Sequence, residues 1–273
     1  MLSHWLDAYV TVNDLTSHYI RTGDSHKPPL LLLHGFSDNG LCWLSVARAL
    51  EAQFDVILPD ARGHGLSARV HPNEPVDNAA DAAGIITALG LSKPLVAGHS
   101  MGGLAATELG ARFPDLVGGL ILEDPAWFDP PPDDAPVPEN PFAAWLLQLE
   151  GVPLDEIIAS GKANNPAWAD EEFPAWAESK RQLDKTIFQI ASVRKPWRDL
   201  VSSLTAPTLL LTAEVEKGAI VTPAMAQEAA SLSPQLQVTH IPNAGHNIRR
   251  ENYPAFMQAL QSFLAQFLKT KKD

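Results

Sequence analysis

Cysteine is almost missing from this chain. Its 273 residues contain one, Cys42, so no disulfide can close within it. Positive charge is also scarce. Lys and Arg number 20 against 32 Asp and Glu, a formal net charge of −12. Nucleic-acid phosphates and anionic membrane surfaces would both repel that balance. No apolar run approaches the roughly 20 residues that a membrane helix needs. The opening Met1-Leu2-Ser3-His4-Trp5-Leu6-Asp7 has no basic stretch followed by a long apolar one, so no signal peptide is expected. No His, Cys and carboxylate residues recur at metal-ligand spacing, and no phosphate-cradling glycine loop is seen. These absences lead to the expectation of a cytoplasmic protein acting on a small molecule. No nucleic acid, membrane, metal or cofactor is called for, and the oligomeric state is left open.

What is present alternates. Ala8 to Asn13 and Ser17 to Arg21 read as two antiparallel strands turned around Asn13-Asp14. Leu30-Leu31-Leu32-Leu33 is a continuous apolar run, the mark of a strand buried on both faces. Helical spacing at Leu41, Leu44, Ala47 and Leu50 predicts a helix over Leu41 to Ala52. Strands are expected at Phe54 to Leu58, Pro94 to Ala97, Val117 to Leu122, Thr208 to Thr212 and Gln237 to Ile241. Helices are expected at Asp77 to Leu89, Met101 to Phe113, Pro223 to Leu232 and Pro254 to Leu268, before a frayed tail at Lys269 to Asp273. Strands alternating with helices imply crossover connections and a mostly parallel sheet.

The rhythm breaks between Trp127 and Leu204. That stretch opens on Pro130-Pro131-Pro132 and holds helical pieces at Pro141 to Leu149, Leu154 to Ser160 and Ala175 to Val193. It also carries five of the seven tryptophans. A helical cap inserted over an active site accounts for it, with hinges in the Pro130 to Pro141 region. The expected division is a core of residues 1–126 and 205–273 and a cap of residues 127–204. The alternative is extra helices packed on the sheet's flank. The cap's aromatic and aliphatic residues point to an apolar substrate group, or form the cap's own core.

Gly98-His99-Ser100-Met101-Gly102 matches G-x-S-x-G where an expected strand meets an expected helix. A nucleophile there sits on a sharp turn, and side chains at the glycine positions would strike the neighbouring strand and helix. The following helix directs its N-terminus at the reacting centre, where negative charge develops. A serine hydroxyl needs a base at neutral pH. Of nine histidines, His246 in Asn243-Ala244-Gly245-His246-Asn247 follows the last expected strand, on the same carboxyl edge as Ser100.

With His34-Gly35-Phe36 and Asp60-Ala61-Arg62-Gly63-His64-Gly65-Leu66-Ser67, these motifs make the chain resemble the α/β-hydrolase superfamily along its length. The likeness is to its capped esterase, lactonase and carbon–carbon hydrolase branch. It implies an eight-stranded, mostly parallel sheet with flanking helices. It also implies an oxyanion hole from the backbone N–H groups of Phe36 and Met101. Asp60, Arg62 and His64 are expected to organise their loop rather than to react. The family places the triad's acid at one of two positions. One follows the strand ending near Thr212, where Glu216 stands. The other lies 24 residues beyond the nucleophile, at Asp124 in Leu122-Glu123-Asp124-Pro125. The reading leans to Asp124 and keeps Glu216 as the alternative. The implied activity is ester hydrolysis through an acyl-enzyme. Lactone or carbon–carbon bond hydrolysis by the same triad, or a receptor with little turnover, are the alternatives. Haloalkane dehalogenase and epoxide hydrolase chemistry would need a carboxylate where Ser100 stands.

Overall fold

The computed structural model describes residues 4–72, 74–129, 142–190 and 195–268. Eight strands make one sheet: β1 (Leu6–Val12), β2 (Leu15–Arg21), β3 (Pro29–Leu33), β4 (Asp55–Pro59), β5 (Leu95–His99), β6 (Gly119–Glu123), β7 (Thr208–Thr212) and β8 (Leu236–His240). Their spatial order is β1-β2-β4-β3-β5-β6-β7-β8. Pairings of β1 with β2 and of β2 with β4 are antiparallel, and all later ones are parallel. The first turn falls at Asn13-Asp14, both at positive φ (51° and 63°), a conformation Asn and Asp tolerate.

Ten helices accompany the sheet among the described residues: α1 (Leu44–Leu50), α2 (Asn78–Ala88), α3 (Met101–Arg112), α4 (Ala143–Gln148), α5 (Leu154–Asn164), α6 (Phe173–Gln182), α7 (Trp197–Ser202), α8 (Pro223–Leu232), α9 (Ile248–Glu251) and α10 (Tyr253–Leu268). Strand alternation feeds two core layers. Leu31 and Leu33 face the layer holding Ala82, Ile86, Ala106, Leu109 and Ala229. Leu30 and Leu32 face the one holding Val46, Leu50, Phe256, Leu260 and Phe263. Both sides of β3 are therefore dry, which is why its apolar run is unbroken. Caps end the helices where side chains demand it: Asp77 accepts from Ala80 N at the start of α2, and Thr222 from Met225 N ahead of Pro223 in α8.

Two expected helices differ. The one over Leu41 to Ala52 begins as a 3-10 turn, Gly40–Trp43, before α1. The long one over Ala175 to Val193 starts at Phe173 and stops at Gln182. There Asp184 donates its N–H to Gly63 O (2.8 Å), and its carboxylate accepts from Val70 N (2.9 Å) and Thr186 N (3.0 Å). Those bonds pull the chain off the helical path and onto the loop after β4. A short 3-10 turn at Lys185–Gln189 follows. Val193, the Pro130 to Pro141 hinge and the Lys269 to Asp273 tail lie outside the described residues.

The tryptophans divide between layers. Trp127 and Trp197 stack face to face (5.2 Å, 5°) and are buried in the main core beside Val201 and Leu204. Trp168 and Trp176 are buried with Phe173, Ile157 and Ala177 in a separate cluster that also takes in Cys42. Among the described residues, no helix is long and apolar enough to cross a membrane.

Candidate active site

In chain order the parallel strands start at β3 and step first to β4 on one side, then to β5 on the other. At this switch point the loops after β3 and β5 leave in opposite directions, the arrangement in which open α/β sheets place their ligand sites. Ser100 follows β5 and Phe36 follows β3. Ser100 has φ 52° and ψ −112°, a conformation L-residues rarely adopt. It is held by backbone bonds: Ser100 N donates to Glu123 O (3.0 Å), and its carbonyl accepts from Leu104 N (2.9 Å) and Ala126 N (3.0 Å). The flanking glycines are steric requirements. A Cβ on Gly98 would lie 2.1 Å from Gly102 O, and one on Gly102 would lie 2.3 Å from Leu33 O. Met101 opens α3, so its N–H has no intrahelical acceptor.

The segment Gly35 to Asp38 is a turn closed by Asp38 N to Gly35 O (3.1 Å). Ser37 occupies it at φ 63°, which costs a non-glycine residue about 1–3 kcal/mol unless its surroundings hold it. His34 anchors the turn's start. Its Nε2 accepts from Ala61 N (2.9 Å), which leaves the proton on Nδ1 to donate to Gly35 O (2.8 Å). Phe36 presents its ring to Phe142 (6.5 Å between centroids), Phe188 (6.0 Å) and the edge of His64 (5.6 Å). A small cavity lined by Leu33, Ala82, Ile85, Met101 and Ala105 adjoins the start of α3, with the Arg62–Asp81 pair at its side.

His246 lies between β8 and α9. Its Nδ1 meets Asp124 Oδ2 at 2.6 Å, and the imidazole is partly exposed while Asp124 is wholly buried. Asp124 Oδ1 and Oδ2 accept from Ile220 N (3.1 and 2.9 Å), and Oδ1 also from Val221 N (2.9 Å). Donors surround this carboxylate. On the other side His99 Nε2 donates to the His246 carbonyl (3.0 Å), with the two rings 4.7 Å apart. His246 is thus bracketed by His99, the residue before Ser100, and by Asp124, at the end of the neighbouring strand. Glu216 sits exposed in the 3-10 turn Val215–Lys217. The loop that carries it meets Asp124 with the backbone amides of Ile220 and Val221 instead.

Asp60, Arg62 and His64 brace the loop after β4. Asp60 accepts from His18 Nδ1 (2.7 Å), Gly40 N (2.7 Å) and Leu66 N (2.8 Å), and Arg62 forks onto Asp81 (2.6 and 3.1 Å). His64 Nδ1 donates to Arg62 O (3.0 Å). Sequence reasoning sets His99 aside as a weaker candidate base and gives it no supporting role, yet its ring holds the His246 loop. Its place inside the elbow motif was the available signal.

Three histidines here are kept neutral. Burial lowers the pKa of His34, takes His64 down to about 3 with help from His34, and pushes His99 well below its usual range with help from Arg249. In the unfolded chain all three would bind protons near pH 6.5, so stability present at neutral pH is lost as pH falls below that value. Each contributes a slope of about 1.4 kcal/mol per pH unit between its unfolded and folded pKa. His18 opposes them. Burial works against its charge, but Asp60 and Asp7 raise its pKa, so its contribution is present below pH 6.5 and lost as pH rises through its folded value. Three against one, urea unfolding should show clearly lower stability near pH 5 than near pH 7.5. Equal midpoints would refute the neutral assignment.

The alpha/beta hydrolase family model matches residues 30–259, and the chain belongs to that family. Among its relatives, N-formylmaleamate deformylase of Pseudomonas putida is 27% identical, the match covering 93% of this chain and 95% of that protein. The mouse sn-1-specific diacylglycerol lipase is 27% identical over 91% of this chain and 85% of its own length. The crystal structure of a thermophilic esterase from Thermogutta terrifontis, with malate bound, superposes with a TM-score of 0.74 at 26% identity. That match covers 96% of this chain and 98% of the esterase.

Proposed function

We propose that this hydrolase cleaves carboxylic esters of small to medium, apolar substrates through an acyl-enzyme on Ser100. The observation that carries this reading is the buried Asp124 carboxylate on His246 Nδ1, at the end of the strand beside the Ser100 elbow. Asp124 holds the proton on Nδ1, so Nε2 is free to accept one. Ser100 Oγ attacks the carbonyl carbon as His246 takes its proton. The oxyanion is received by the N–H groups of Phe36 and Met101, a contribution of about 3–4 kcal/mol for one such donor. His246 then protonates the leaving alcohol and activates the water that releases the acid.

An apolar substrate is supported by the Phe36, Phe142 and Phe188 rings around the oxyanion turn. Trp168 and Trp176 do not argue for it, because they are buried in their own cluster. We read residues 1–126 and 205–273 as the hydrolase core and 127–204 as the inserted cap. Within that insertion residues 142–190 form the covering part, since Trp127 and Trp197 pack in the core.

The test is hydrolysis of p-nitrophenyl butyrate together with labelling by a fluorophosphonate, the modified peptide identified by mass. Turnover, one label per chain on Ser100, and a preference for soluble short esters over long-chain triglyceride emulsions are expected. Labelling of Ser100 without esterase activity would move the reaction to lactones, amides or carbon–carbon bonds. A folded protein with neither would end the serine-hydrolase reading in favour of a receptor.

A further inference from the structure

Beneath the oxyanion turn lies a set of buried charges that the reaction itself does not use. Lys180, on α6, is 2% exposed and reaches across to the core with all three ammonium donors occupied: Ser37 O at 3.0 Å, Ser37 Oγ at 2.9 Å and Asp38 Oδ1 at 2.9 Å. Asp38 is also buried, and its other oxygen takes Arg250 from α9 at 3.0 Å. Burial alone would raise its carboxyl, but Arg250, Lys180 and Arg249 together hold it well below the usual carboxylate range. Arg250 also binds Glu172 at 3.2 Å, and Arg249 binds Glu123 at 2.9 Å, one residue before Asp124. Lys180 and Arg250 each lie over an indole, Trp176 at 5.1 Å and Trp168 at 4.6 Å. The tryptophans of this layer therefore cover buried cations.

We propose that Lys180 is a positioning residue for the oxyanion hole, holding the Gly35 to Asp38 turn, and with it the Phe36 N–H, from the overlying helix. The inference rests on the acyl-transfer reading given above. Three observations converge on it. Ser37, the residue Lys180 grips twice, is the one in the left-handed conformation, and it directly follows Phe36. Removing the ammonium would leave that turn with its single backbone closure, the His34 contact and the arginines on Asp38, and nothing on Ser37 among the described residues. Asp38 would keep Arg250, so the fold and the rest of the charge network have a partner to fall back on. Lys180 comes from a segment far along the chain, so the amide that stabilises the transition state is set by how residues 142–190 sit on the core.

The experiment compares the parent with Lys180→Met and Ser37→Ala, the second deleting one of the three contacts without burying a new side chain. Each is assayed for p-nitrophenyl butyrate kinetics, for inhibition by n-butylboronic acid and for inhibition by butyrate. In the boronate adduct Ser100 Oγ gives an electron pair to boron and its proton passes to His246. A boronate oxygen then occupies the oxyanion hole, which butyrate, bound as ground-state product, does not need. Displacing the amide by about an ångström should cost on the order of 10²-fold in kcat for Lys180→Met, with KM little changed. Boronate affinity should fall by the same factor while butyrate affinity stays, and Ser37→Ala should shift both in the same direction by less. The inference is overturned if the folded variants keep parental kcat and boronate affinity. It is equally overturned if butyrate affinity and kcat fall together, the pattern of a general structural loss. A parent that neither binds the boronate nor takes up the fluorophosphonate overturns the functional reading itself.

Discussion

Ser100→Ala should lower kcat on p-nitrophenyl butyrate by about 10⁶-fold while leaving the protein folded. The expectation of an intact fold comes from the elbow's own bonds. Ser100 is fixed through its N–H to Glu123 and its carbonyl to Leu104 and Ala126, all backbone contacts that alanine keeps. The strained φ of 52° is no worse for alanine than for serine, since both carry a Cβ. What disappears is only the hydroxyl, and with it the acyl-enzyme. Residual hydrolysis of about 10³- to 10⁴-fold over water would come from the oxyanion hole and binding. Circular dichroism checks the fold, and loss of fluorophosphonate uptake should accompany loss of turnover. A folded variant that retains more than about a tenth of parental kcat would mean that the nucleophile is another group.

Much of the architecture was legible because the residues repeat one physical pattern. Unbroken apolar strands such as Leu30 to Leu33 read as buried on both faces, and the structure covers both faces of β3 with helices. The glycines at 98 and 102 signalled a close approach, and the distances to Gly102 O and Leu33 O supply it. The ends of helices were less legible where a distant partner decided them. Nothing local to Gln182 announces that α6 must stop. The reason lies in Gly63 and Val70, which bind Asp184 from more than a hundred residues away. The tryptophans illustrate the same limit. Spacing places Trp176 on a helix, but does not reveal that buried Lys180 lies against it or that buried Arg250 lies against Trp168. The role of Lys180 was out of reach for the same reason, since a lysine in Ser179-Lys180-Arg181 looks like any solvated helix face.

The carboxylate opposite His246 is the sharpest instance, and it yields the second large effect. Asp124→Asn should lower kcat by about 10⁴-fold, whereas Glu216→Gln should leave it within about twofold. Two positions in the chain were open because strand ends bring both toward one histidine, and the path of the loop after β7 supports the Asp124 reading. In the structure that loop carries Glu216 out to solvent and turns the N–H groups of Ile220 and Val221 onto Asp124. The carboxylate thus faces donors only: two amides and the imidazole Nδ1–H. An asparagine there must turn its NH₂ toward one of them. If it faces the ring, Nδ1 becomes an acceptor, the proton moves to Nε2, and His246 can no longer take the Ser100 proton. If it faces the amides, the buried Val221 N–H loses its acceptor while Ile220 N and the ring keep theirs, so thermal stability falls but the tautomer is preserved. Measured kcat and melting temperature separate these arrangements, since the first gives the full loss of kcat at an unchanged melting temperature and the second lowers the melting temperature with a smaller loss of kcat. A Glu216→Gln variant that falls by orders of magnitude while Asp124→Asn does not would transfer the acid's role to Glu216. It would also require the loop from Ala213 to Val221 to turn inward when substrate binds.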